Sequence, residues 1–325
     1  MPRIIHLAGL ALGMMLAVAP SANAADEVSL RLNWYLGGLH VPFYYGKDLG
    51  YFADEGIDLT INEGRGSVAT AQAVAAGSDT FGLADAGSLM LTASKGAEIK
   101  AVMSLLNTSG FGIISLADAG IQEPADLEGK KLAVTAGDAL TQLFPAVAKA
   151  NGLDMSKISL VQMDPGAKVV SVLEKQTDAL LGGIDDQFFL IEQKGPKAAS
   201  MRFADHGVNT VGITVIANEE TISENPDLVR RFVAAAQKSW DAAKENPGAA
   251  VDAALKVKPD LNKESTLKQL EVDIGLLESE ATKGKGIGVG AESDWEKTKE
   301  LLTEYRDLQT EEPASAFYTN EFLPQ

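Results

Sequence analysis

Leu32-Asn-Trp-Tyr-Leu-Gly-Gly-Leu-His-Val-Pro-Phe-Tyr-Tyr-Gly-Lys-Asp-Leu-Gly-Tyr-Phe-Ala-Asp-Glu-Gly-Ile-Asp-Leu-Thr-Ile61 decides the fold. Val28, Leu30 and Leu32 alternate with polar neighbours and read as a strand. A loop with two aromatics and paired glycines follows, then a short helix from about Val41 that ends at Gly50. Leu59 and Ile61 open a second strand. Strand, loop, helix, strand is the unit of an α/β sheet, and open α/β sheets bind ligands beyond the carboxyl ends of their strands. The loop after the first strand therefore reads as a binding loop.

The unit repeats outward. Ser67 is placed to cap a helix over 68–76, with Gly77 beyond its end, and a strand over 81–84 leads to Asp85. A helix over 89–95 and a strand over 99–105 follow. At Leu106-Asn-Thr-Ser-Gly-Phe-Gly112 the alternation breaks, as at a crossing into a second lobe. A second strand, loop and helix run over 132–151, and 158–163 reads as a strand. Residues 66–85 and 166–185 share a plan of glycine-started helix, turn, apolar strand and terminal Asp. That echo sets Asp85 and Asp185 facing one another across a gap between two similar lobes. Val211–Ala217 reads as the last strand of the second lobe and the return crossing. Helices follow over 226–244 and 247–256, 283–290 is a glycine-rich surface loop, and Ser293 with Glu296 forms a capping box for a helix to about Leu308.

The fold class is therefore α/β, a two-lobed fold with a βα sheet in each lobe. Residues 26–108 plus 218–325 form lobe 1 and 109–217 form lobe 2. Two crossing segments permit hinge closure.

Residues 1–24 read as a cleavable export signal: Arg3, the apolar run Ile4–Val18, and Ala22-Asn23-Ala24 before the cut. No later run approaches the ~20 apolar residues of a spanning helix. The chain has no cysteine, which excludes disulfides, thiolate catalysis and Cys-based metal sites. Its net charge of −17 argues against nucleic acid and anionic membranes as partners.

The strand end Asn33-Trp34 paired with Tyr44-Tyr-Gly-Lys-Asp-Leu-Gly-Tyr-Phe-Ala-Asp-Glu-Gly-Ile-Asp58 resembles the opening of the NMT1/THI5-like (SsuA/THI5-like) solute-binding proteins. Asp126-Leu-Glu-Gly-Lys-Lys-Leu-Ala-Val-Thr135 is similar to the second-lobe entry of the wider binding-protein class, and Tyr318–Leu323 to the family's closing segment. The resemblance implies a type II periplasmic binding-protein fold and an ABC-importer receptor for thiamine-precursor pyrimidines, sulfonates or related small molecules. It further implies a permease with its ATPase as partner, a periplasmic location, no cofactor and a monomer.

Trp34 and Tyr35 can stack on a flat ligand or anchor the strand end in the core. His40 and His206 are the histidines that follow the export signal, a poor metal set, and His40 either meets the ligand or satisfies local backbone. Tyr44 faces either core or cleft. Asp85 and Asp185 end apolar strands, where a carboxylate costs stability unless it is bonded, and Asp186 and Gln187 extend the second site. Asn107, Thr108 and Ser109 at the crossing, with Thr135, Asp138 and Thr141 in the second-lobe loop, supply further polar groups. Facing carboxylates suit a ligand with amino or ring N–H donors and repel sulfonate or nitrate.

The function expected is capture of a small nitrogen-containing, pyrimidine-like molecule between two lobes. Sulfonate or taurine binding and a sensor role are the alternatives within the same family. An enzyme like the family's fungal pyrimidine-phosphate synthases, which depend on a cysteine-rich motif, fits a cysteine-free chain poorly. No Gly-x-Ser-x-Gly elbow is present.

Overall fold

The computed structural model describes residues 24–324, so the export signal, but for Ala24, lies outside them. Its strands are, in chain order, β1 (Asp26–Arg31), β2 (Ile57–Asn62), β3 (Phe81–Asp85), β4 (Ile99–Met103), β5 (Phe111–Leu116), β6 (Lys131–Val134), β7 (Ser159–Gln162), β8 (Ala179–Gly183), β9 (Ala198–Arg202) and β10 (Ile213–Asn218). They form two five-stranded sheets, ordered β2-β1-β3-β10-β4 and β7-β6-β8-β5-β9.

Each sheet has a parallel part, β2-β1-β3 and β7-β6-β8, built from strands linked through helices. Each also has one antiparallel intruder, β10 in the first and β5 in the second. The intruders are the strands that the chain enters directly after crossing between halves. Ile213 starts β10 opposite Asp85, the last residue of β3, and Phe111 starts β5 opposite Gly183, the last residue of β8. A strand arriving at the carboxyl ends of its neighbours must run back against them, so both crossings lie at the carboxyl ends of the parallel strands. The cleft between the halves opens there.

The pairing of β10 revises one boundary. Val211–Ala217, read as the end of lobe 2, lies within or just before a strand inserted between β3 and β4 of the first sheet. Its run of apolar residues fits either sheet; the hydrogen-bonded neighbours decide which.

Beneath the first sheet, helix Pro226–Glu245 buries Val229, Phe232, Val233, Ala236 and Trp240 on one face, as its spacing requires. Phe232 stacks on Phe81 of β3 with ring centroids 3.9 Å apart, and Phe43 meets Trp240 edge-on at 6.5 Å. Two other termini differ from expectation. Gly66 occupies the N-cap of helix Ser67–Ala75, and Ser67 Oγ instead accepts from the Asp85 N–H at 3.3 Å. Ala291, not Ser293, precedes helix Glu292–Arg306, and Glu296 accepts from the Ala314 N–H. That helix packs across both halves: Thr298 Oγ1 accepts from Val211 N–H at 2.9 Å, and Lys149 of the second half donates to the Glu304 carbonyl at 2.9 Å.

Helix Lys263–Leu276 has no counterpart in the sequence reading. Its buried face carries Thr266, Gln269, Leu270, Asp273 and Leu276, a stripe that alternates polar and apolar residues. An apolar stripe is the signal that periodicity detects, and here the polar groups face inward.

Helix Val41–Asp48 approaches Pro226–Glu245 through Gly46, where a Cβ would stand 1.7 Å from Ser239 Oγ and 2.5 Å from its Cβ. Gly46→Ala is expected to cost about 1–3 kcal/mol in urea denaturation through overpacking. Adding Ser239→Gly should recover part of that loss; full stability of the single variant would contradict the close approach.

Candidate functional site

Between the halves lies a cavity of about 770 Å³ including its mouth. The loop after β1 supplies one wall, with Asn33, Trp34, Tyr35, Leu39 and His40, and Ser67 beside it. The loops after β6 and β8 supply the other, with Asp138, Asp185, Asp186 and Gln187, and Lys168 reaches in from helix Ala167–Leu173 after β7. Leu106, Ser109, Phe111 and Ile213, at the crossings, close the base. The halves touch on both sides of it. A Cβ at Gly66 would lie 3.0 Å from the Gly137 carbonyl oxygen, and Gln269 Nε2 donates to Asp186 Oδ1 at 3.3 Å. Among the described residues no group of His, Cys, Asp and Glu is arranged to hold a metal ion.

Three consecutive backbone donors of the first wall are held by side chains. Leu36 N–H donates to Glu63 Oε1 at 2.8 Å, and Gly38 N–H to Gln269 Oε1 at 3.0 Å. His40 Nδ1 accepts from Gly37 N–H at 3.2 Å, which leaves Nε2–H to donate to Asn33 Oδ1 at 2.9 Å. Burial lowers the His40 pKa to about 3 against the pull of Glu63, and Lys258 lowers it further. His40 is a neutral ring that shapes the loop.

The second wall is built around a buried ion pair. Asp138 caps helix Ala139–Ala150 by accepting from Thr141 N–H at 2.7 Å, and its other oxygen meets Lys168 Nζ at 3.3 Å. Lys168, 1 % exposed, also donates to the Leu181 carbonyl at 2.8 Å. Its ammonium lies 5.2 Å from the centre of the Trp34 ring, contributed by the opposite half. Asp186 accepts from Gln187 and Gln269. Burial and the neighbouring Asp185 push its pKa up to about 7, opposed by Lys168 and by the nearby Trp34 side chain.

Of the candidates read from the sequence, Trp34, Tyr35, His40, Asp138, Asp185 and Asp186 line the cavity. Four sit elsewhere. Tyr44 packs against the first core, and burial with Glu63 pushes its phenol up to about 12. Asp85 is fully buried and caps helix Ala86–Ala93 through Ser88 N–H at 3.0 Å, so it does not face Asp185. Asn107 Nδ2 donates to the Leu277 and Val289 carbonyls at 2.9 and 3.0 Å, pinning the crossing to the C-terminal region. Thr108 N–H donates to the Leu276 carbonyl at 3.3 Å. Thr135 and Thr141 hydroxyls bond backbone carbonyls and shape the Asp138 loop. Lys168 and Gln269 were missed. A lysine within an apolar helix was the available signal for the first; nothing local marks the second.

Two consequences are measurable. Lys168→Met leaves Asp138 buried without its cation and is expected to lower unfolding stability by about 3–5 kcal/mol, with Asp138→Asn in the same chain recovering much of it. A loss under about 1 kcal/mol would place the pair in solvent. His40 takes up a proton more readily unfolded than folded. Its contribution to stability is therefore full above the unfolded value of 6.5 and lost as pH falls toward about 3. His40→Gln should flatten that acid limb of the melting profile.

A family model described as NMT1/THI5 like matches residues 38–250. A protein of Brucella abortus named as a binding protein is 31% identical over 294 residues, covering 86% of this chain and 83% of that one. The formylaminopyrimidine-binding protein of Halalkalibacterium halodurans is 25% identical, covering 86% and 85%. The 4-amino-5-hydroxymethyl-2-methylpyrimidine phosphate synthase THI5 of Saccharomyces cerevisiae is 24% identical over 76% of each chain. Among solved structures, the alkanesulfonate-binding protein SsuA from Xanthomonas axonopodis pv. citri superposes with a TM-score of 0.68 at 12% identity, covering 90% of this chain and 98% of that one. That likeness carries the fold, two α/β halves of a periplasmic binding protein, independently of sequence. With its family model spanning more than half its length, the chain belongs to the NMT1/THI5-like family of binding proteins.

Proposed function

We propose that the protein is the periplasmic receptor of an ABC importer and that it closes on a small, flat, nitrogen-containing molecule of the aminopyrimidine type. One observation carries the ligand class. Lys168 is the only cation among the described residues that line the cavity, and it is already committed to Asp138 and the Leu181 carbonyl. Asp185 and Asp186 stand at the same wall as acceptors. A sulfonate or nitrate would meet acids and no free cation, whereas amino and ring N–H groups would meet acceptors. Trp34, Tyr35, Leu39, Leu106 and Phe111 supply the apolar and aromatic surface that a planar ring needs. The relative named for formylaminopyrimidine supports the same class.

Ligand contacts to both halves would favour the closed form, which a permease with its ATPase then recognises. Export through the segment 1–24 and action as a monomer belong to the same reading. Catalysis like that of the yeast relative is disfavoured because the chain has no thiol.

The test is calorimetry and thermal shift of the protein with 4-amino-5-hydroxymethyl-2-methylpyrimidine, its N-formylated aminopyrimidine analogue, taurine, an alkanesulfonate and nitrate. An aminopyrimidine at about 100 times its Kd should stabilise the protein by about 2.7 kcal/mol. Asp186→Asn should weaken that binding about tenfold or more while leaving ligand-free melting little changed. Stabilisation by the anions alone would overturn the ligand class.

A further inference from the structure

Helix Lys263–Leu276 turns its buried face toward the acidic end of the cavity, and Asp273 on that face is fully buried. Neither Asp273 oxygen meets an N–H, a hydroxyl or a cation. Asp185 of the opposite half comes against this same face: a Cβ at Gly110 would stand 3.0 Å from Leu276 Cδ1, one turn along from Asp273, and 3.2 Å from Asp185 Oδ1, and the two acids perturb one another's ionisation. Two carboxylates are acceptors only, so a hydrogen bond can join these acids only with one proton between them.

The surrounding charges offer no alternative. Asp186 adjoins the pair and is itself acidic. Lys168 is held by Asp138 and the Leu181 carbonyl. His40, in the segment packed against the helix, is neutral. On the helix, Lys268 pairs with Glu264 and Lys263 with Asp252 of the adjoining helix, all at the exposed surface. Glu192, on the helix across the cleft, is exposed, as is Glu271.

We propose that Asp273 is a positioning residue that keeps its proton and donates it to Asp185, so that the closed cavity presents Asp185 as an oriented acceptor for a ligand N–H. The clause about the ligand rests on the function proposed above; the shared proton does not. Burial first, and then Asp185, raise Asp273 well above the usual carboxylate range. The same contact opposes the rise that burial gives Asp185, so the two acids titrate as a pair that holds one proton. Because Asp273 belongs to the first half and Asp185 to the second, closing the cleft assembles the pair and opening it exposes both acids to water. The contribution of Asp273 is complete at low pH and is lost as pH rises through its raised value.

Asparagine tests this because its amide N–H₂ donates to Asp185 at every pH, and leucine tests it because it fills the space without donating. In difference infrared spectra at about pH 8, the wild type should show the carbonyl stretch of a protonated carboxylic acid that Asp273→Asn lacks. Without ligand, wild-type melting should fall relative to Asp273→Asn as pH is raised from about 5 to about 9. With 4-amino-5-hydroxymethyl-2-methylpyrimidine as probe, Asp273→Asn should bind within about threefold of wild type at about pH 7, and better than wild type toward about pH 9. Asp273→Leu should weaken binding by about tenfold or more. Parallel melting profiles and no acid band would overturn the shared proton. Wild-type affinity in Asp273→Leu would overturn the positioning role. If the probe fails to bind the wild type, the ligand class fails, and the infrared and melting arms still decide the proton.

Discussion

An ammonium group taken out of water needs an oxygen or a π-face on each exposed side, and Lys168 meets that need from three directions. Asp138 comes from the loop after β6, the Leu181 carbonyl from β8, and the Trp34 ring from the opposite half. Two of these tie the second half to itself. The third lies across the cleft, so the position of Trp34, and with it the whole loop after β1, is coupled to closure. The neighbouring acids inherit their character from this arrangement. Lys168 opposes the rise in the Asp186 pKa but does not cancel it, because burial and the adjacent Asp185 outweigh it.

The topology explains why such groups meet at all. Each crossing delivers the chain to the carboxyl ends of a parallel set and forces an antiparallel return, so both sheets direct their loops into one gap. Helix Lys263–Leu276 and helix Glu292–Arg306 then bridge from the first half to the second, one beside the cavity and one behind the crossings. The loop after β1 is pinned at Leu36, Gly37 and Gly38, whose N–H groups all donate to side chains, which preorganises that wall. Asp138, Asp185 and Asp186 place carboxyls on the polar side of the cavity, and Trp34, Tyr35 and Phe111 bring rings to it.

Much of this was legible from local pattern. Alternating Val28, Leu30 and Leu32, the glycine loop and the Trp34-Tyr35 pair mark a strand end that reaches the cavity. Asp138 reads as a polar group of a βα loop and is one, though half its role is to cap a helix. Asp85 shows the limit of the same reasoning. It ends an apolar strand just as Asp185 does, yet the helix that follows begins at once and claims the carboxylate as its cap. The acid that does meet Asp185 lies on a helix whose inward face is half polar, the pattern least visible to periodicity.

The sequence by itself determined the α/β class, the crossing near Asn107, the loop after β1 and the acidic pair at Asp185 and Asp186, because strand alternation, turn residues and strand-end polarity are properties of neighbours in the chain. Tertiary structure alone decided that Val215 and its strand belong to the first sheet, that Lys168 lies beneath Trp34, and that Asp273 rather than Asp85 faces Asp185. Those pairings join residues about 90 or more positions apart. What brings them together is the burial of charge and of sheet edges, which depends on where the chain returns and not on what stands beside each residue in sequence.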